Sequence, residues 1–94
     1  MTLIQNDIKA HFTKRFVSAI CNQDNDLVLE YLKNGMSATK ECMGDKPIFY
    51  AITHNNFGAI LLLLKYGAIL DKDCLEECSE NFSKEALEFL TSLL

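Results

Sequence analysis

The sequence predicts an all-α fold in which short helix pairs repeat along the chain, and three observations predict it. One proline and four glycines in 94 residues leave little room for hairpins or linkers. Apolar residues make up 49% and charged residues 23%, a globular composition in a length that holds one domain. The chain is also self-similar at an offset of 32 residues. Ala19-Ile20 precedes Gly35 by the interval that separates Ala51-Ile52 from Gly67, and Val28, Leu29, Leu32 and Lys33 match Ile60, Leu61, Leu64 and Lys65. A fixed period of this size marks stacked supersecondary units.

Residues 7–23 form the first periodic stretch, with Ile8, Phe12, Phe16, Ala19 and Ile20 at helical spacing. Asp24-Asn25, residue types that cap helices, break it from a second helix with Leu27, Val28, Tyr31 and Leu32 on one side. Gly35 stops that helix, since glycine enters the left-handed conformation without a Cβ penalty. The second copy opens at Pro47, suited to a first helical turn, breaks at Asn55-Asn56 and runs through Phe57–Leu64 to Gly67. Residues 74–94 read as a shortened third copy. It begins at Cys74–Cys78, breaks at Ser79-Glu80-Asn81, and ends in a helix capped by Ser83 with Ala86, Leu87, Leu90 and Leu94 inward. The expected organisation is a single domain, 1–94: a capping helix and first repeat (1–35), a second repeat (36–70) and a truncated capping repeat (71–94). No helix pair buries its apolar face alone, whereas stacking the pairs does.

Charge narrows the partners. Net charge is −4, distributed as +2 over residues 1–23, −1 over 24–70 and −5 over 71–94. An acidic chain with no basic stripe lacks the footprint that phosphate binding requires, so nucleic acid is not expected. The longest apolar run, Phe57–Leu64, falls far short of the roughly 20 residues of a bilayer span. The N-terminus carries no basic segment followed by an apolar one, so no signal peptide is expected, no membrane partner, and a cytoplasmic setting.

Lys46-Pro47-Ile48-Phe49-Tyr50-Ala51 resembles the Thr-Pro-Leu-His-x-Ala opening of an ankyrin repeat, and Ile60–Ala68 resembles its Val-x-x-Leu-Leu-x-x-Gly-Ala closing. Lys46 stands for Thr, Phe49 for His and Asn55-Asn56 for Gly-His. The family's Thr and His hydrogen-bond in the turn that opens the first helix, so the resemblance implies a looser turn here. It also implies an ankyrin-like helical solenoid of about two full repeats with helical N- and C-terminal caps. Its function would be non-enzymatic, binding another protein through loop tips and a concave helix face. The contact positions it implies are Cys42, Met43, Asp45, Thr53, His54 and Tyr66 in the second copy, with Cys21 and Asn22 in the first. An inhibitor that occludes a partner enzyme is the alternative within the same class.

Residues that could carry other chemistry have plainer readings beside them. Cys42 and Cys74 lie one period apart, expected at equivalent loop positions, and Cys74 and Cys78 are spaced i, i+4. A thiol or metal protein would use that pair, but no Cys-x-x-Cys exists and His11 and His54 are distant in sequence, so buried small hydrophobes are expected and no metal or cofactor. His54 reads as a contact residue or a plain surface polar. The acidic 71–88 run reads as a solvated cap. Leu29 and Leu61 share a repeat position that usually faces solvent. This apolar pair on the convex back is expected to be covered, by the segment around Leu3 and Ile4, by a partner, or by a second copy in a homodimer.

Overall fold

The computed structural model describes the backbone of residues 2–92 and the side chains of residues 11–92 other than 75, 77–79 and 81. Among these residues there are six α-helices: α1 (Thr2–Cys21), α2 (Asn25–Lys33), α3 (Pro47–Thr53), α4 (Phe57–Lys65), α5 (Lys72–Asn81) and α6 (Lys84–Ser92). The all-α expectation therefore holds. The helices pair in chain order, α1 with α2, α3 with α4 and α5 with α6. Neighbouring pairs meet through α1 against α3, α3 against α5 and α2 against α4.

Matched backbone signals, 32 residues apart, set where α2 and α4 begin and end. Gln23 and Asn55 both take left-handed φ values, 61° and 55°. The residue after each is the N-cap: the Asp24 carboxylate accepts from Leu27 N–H at 3.4 Å and the Asn56 Oδ1 from Ala59 N–H at 3.1 Å. The break in the first copy is thus Gln23-Asp24, and Asn25 is already the first residue of α2, its side-chain amide engaged with Asn56. At the other end Met36 N–H reaches Tyr31 C=O (2.9 Å) and Gly35 N–H reaches Leu32 C=O (3.2 Å). Ala68 and Gly67 repeat the pattern with Leu63 and Leu64. Both are Schellman motifs, with Gly35 and Gly67 at φ 102° and 103°.

The third copy departs from the period. Residues 34–46 separate α2 from α3, but only 66–71 separate α4 from α5. Cys42 consequently lies in a loop while Cys74 lies in α5, so their expected equivalence fails. α5 also runs through Ser79–Asn81 rather than breaking there. The modest propensity cost of Ser and Asn does not end a helix, and the stop falls instead at Phe82-Ser83, where Ser83 Oγ accepts from Ala86 N–H at 3.2 Å. Asp71 caps α5 by accepting from Cys74 N–H at 3.0 Å.

Phe16, Ile20, Val28, Ile48, Ile52, Ile60, Leu63 and Leu90 form the fully enclosed centre of the core. Of the residues expected inward, Ala19 and Leu32 are buried, while Leu27, Tyr31, Ala86 and Leu87 are half-buried. Phe12 departs from expectation and stays 43% exposed. The side chains of Leu3, Ile4, Ile8 and Cys78, and Leu94 altogether, lie outside the described residues. One polar side chain joins this core. Asn56, 3% exposed, donates to Ile20 C=O and to Asn25 Oδ1, both at 2.8 Å, and accepts from Asn25 Nδ2 at 2.9 Å. The reciprocal amide pair locks the start of α2 to the start of α4 and satisfies each buried hydrogen-bonding group it contains. Among the described residues no helix is long and apolar enough to cross a membrane.

Candidate interaction surface

The loop that precedes α3 is wound by its own short-range bonds. Ser37 Oγ accepts from the N–H groups of Thr39 and Lys40, at 3.2 and 3.0 Å. Cys42 and Asp45 then exchange backbone bonds, Cys42 N–H to Asp45 C=O at 2.7 Å and the reverse at 3.3 Å. The two residues between them, Met43 and Gly44, have φ of 53° and 97°. A turn with two left-handed central residues suits glycine, aspartate or asparagine. Methionine there carries a steric cost of about 1–2 kcal/mol.

Tyr50 offsets that cost. Its hydroxyl sits 2.8 Å from the carbonyl oxygens of both Cys42 and Met43 and donates a shared hydrogen bond to them. Lys46, standing where the family has Thr, makes no side-chain cap bond at the start of α3. The resemblance implied a looser turn for that reason, yet Tyr50, one turn into α3, holds it from below. Partial burial raises the Tyr50 pKa, and the Asp45 carboxylate adds to the effect while a backbone hydrogen bond at Asp45 opposes it. The hydroxyl therefore keeps the proton the bond requires.

Beside the turn, α1, the end of α2 and residues 36–42 enclose a groove of about 680 Å³. Phe12, Tyr31 and Met36 supply apolar lining, and Ser37, Lys40 and Glu41 supply polar lining. Tyr31 packs edge-on to Phe12 (6.2 Å between centroids) and to Phe16 (6.1 Å), so an aromatic ladder runs from the core to the groove wall. The exposure of Phe12 belongs to this groove.

The expected contact residues fall into separate places. Met43, 60% exposed, and Asp45 stand at the turn. Cys42 is 6% exposed, with its thiol directed to Lys40 C=O at 3.4 Å, so it supports the turn and presents no surface group. Cys21 (half-buried) is the last residue of α1 and Asn22 follows it, close to Thr53 and His54 at the end of α3. Gln23 Nε2, donating to His54 C=O at 3.2 Å, joins these two ends. Both Thr53 Oγ1 and His54 Nδ1 turn back on Tyr50 C=O, at 3.3 and 3.0 Å. The α3 helix, Pro47–Thr53, sets its two ends about 10 Å apart. Tyr66 caps the end of α4 and is 37% exposed. Leu29 and Leu61 are half-buried, so neither is a freely solvated leucine.

Burial raises the Cys21 pKa, and it raises that of Cys42 with Lys40 opposing, which leaves both thiols protonated and weakly nucleophilic at neutral pH. Among the described residues no group of three or more His, Cys, Asp or Glu side chains is placed to hold a metal ion. The groove and Tyr50 have no counterpart in the sequence reading. Phe12 and Tyr31 sit at core-like spacing, Met36 follows the stop at Gly35 without such a signal, and Gly44 is the local residue that suits a tight turn there. No protein-family model, no curated protein and no solved structure matches the chain.

Proposed function

We propose that the chain is a non-enzymatic module of ankyrin-like build that binds another protein through the Cys42–Asp45 turn and the groove beside it. The observation that carries this reading is Met43. A large apolar side chain is held 60% exposed on a left-handed backbone, at a site where glycine would fit with less strain, and Tyr50 fixes the turn beneath it. A projecting side chain whose backbone is fixed before contact loses little entropy on binding, and a Met beside an aromatic-lined groove is hot-spot chemistry. The matched ends of α2 and α4, the Pro47 opening of α3 and the pairing of helices in chain order support the ankyrin-like build. The short 66–71 connection counts against a second projecting turn, so the module would present one.

A photoreactive amino acid placed at Met43 and, separately, at exposed Glu30 on α2 tests this in the producing cell. The expected result is one discrete protein adduct from position 43, weakened by Tyr50→Phe and absent from position 30. Equal adducts from both positions, or none from position 43, would overturn it.

A further inference from the structure

At the level where α4 leads into α5, the short connection lays no long loop across the helix end. Leu61, Leu64 and Lys65 of α4, residues 68–70 and Phe89 of α6 line a cleft of about 600 Å³ there. Phe89 is 49% exposed and Ile69 is 74% exposed, the highest value among the large apolar side chains described. We propose that this cleft is where a second copy of the chain docks, in a two-fold arrangement.

Two features select a second copy over other occupants. The patch holds both a knob and a socket: Ile69 projects at the edge of an apolar cleft that it also helps to line. A two-fold interface needs such self-complementarity, because the same surface must serve on both sides. The charges are complementary in the same sense. Lys65 lines the α4 side, while exposed Glu85 lies one turn before Phe89 on the same face of α6. In the two-fold arrangement that sets α4 of one copy against α6 of the other, Lys65 meets the Glu85 carboxylate of the second copy. Leu61 takes part in this surface and Leu29 does not line it, so the apolar pair of the sequence divides between two environments. The groove beside Met43 has no residue in common with the cleft and stays open in such a dimer.

Sedimentation equilibrium of the full chain from micromolar to millimolar concentration tests the proposal. The wild type is expected to dimerise. Ile69→Glu should raise the dimer dissociation constant about thirty-fold or more, the loss of one hot-spot contact. Because Ile69 is solvent-exposed, its circular dichroism melt at dilution should match that of wild-type monomer. Lys65→Glu and Glu85→Lys should each weaken the dimer, and the two together should restore it. A wild type that remains monomeric at millimolar concentration overturns the proposal and leaves the cleft to a different protein. A dimer that Ile69→Glu does not weaken, or that the double exchange does not restore, overturns it too.

Discussion

Asn56→Ala is the substitution that asks most of the fold. The Asn56 side chain is almost fully enclosed and holds four hydrogen bonds: to Ile20 C=O, twice with the Asn25 amide, and from Ala59 N–H. Loss of the N-cap costs about 1 kcal/mol. The Ile20 carbonyl keeps a second, longer bond from Gln23 N–H at 3.3 Å, so losing the amide there costs about 1 kcal/mol rather than a full desolvation penalty. The part-buried Asn25 amide, left without its mate, adds about another 1 kcal/mol. The expected total of about 3 kcal/mol is a large share of the roughly 5–14 kcal/mol expected for a chain of this length. Asp24→Ala is the internal control, because it removes the equivalent cap with one exposed bond of 3.4 Å and should cost about 0.5–1 kcal/mol. Asn56→Asp keeps the cap acceptor but turns a carboxylate oxygen toward two acceptors now 2.8 Å away. Its folded state favours the protonated acid, so its deficit relative to the native chain is smallest below the unfolded-state value of about 3.9 and grows as pH rises toward the raised folded pKa. Urea denaturation followed by helical circular dichroism measures all three. Asn56→Ala and Asp24→Ala variants that agree within about 0.5 kcal/mol would refute the view that the amide pair joins the hairpins.

Three further outcomes follow from the packing. Leu63→Ala should cost about 2–5 kcal/mol by opening a cavity, whereas half-buried Leu64 should cost distinctly less, and equal losses on urea denaturation would contradict the assigned face of α4. A Cβ at Gly58 would lie 2.6 Å from Asn25 Nδ2, so Gly58→Ala should destabilise the native chain yet stabilise an Asn25→Ala background by up to about 1 kcal/mol. The same denaturation series reads that reversal of sign. The Asp71 carboxylate accepts from Cys74 N–H and its pKa is thereby lowered, so its contribution is complete above the unfolded-state value of about 3.9 and is lost as pH falls through the folded one. Asp71→Asn should flatten that acid dependence, measured as the thermal midpoint across the acid range.

What was legible in the sequence was the part written locally. Gly35, Gly67, Pro47, Asn56 and Ser83 act within one turn of their own positions, through φ preference or a single cap bond, so residue type alone places them. The Asn25–Asn56 pair was not legible, because both residues also read as ordinary caps and only the approach of α2 to α4 reveals the second role. Phe12 and Tyr31 carried the periodicity of a core, and Met36, beyond the Gly35 stop, carried none. Whether such a stripe is covered depends on the path of residues 36–42, which hydropathy does not encode. Tyr50 sat at a position the ankyrin pattern leaves free, so nothing in that pattern marked its hydroxyl as the group that fixes the Cys42–Asp45 turn. The loss of period after Leu70 was masked by the spacing of Cys42 and Cys74, which is coincidental in the fold.

The position that follows each cap is where the hairpins become distinguishable. After Asp24 it is Asn25, which clasps Asn56. After Asn56 it is Phe57, whose ring meets Phe82 at 5.8 Å and Phe89 at 6.1 Å. The first joint of the molecule is therefore keyed by amides and the second by aromatic rings, although α2 and α4 begin and end on matched backbone signals. A slipped or swapped assembly, with one hairpin in its neighbour's place, would set an amide against a phenyl ring and strand its hydrogen-bonding groups. Repetition of the backbone invites such misassembly, and these joints give each hairpin an address in the chain.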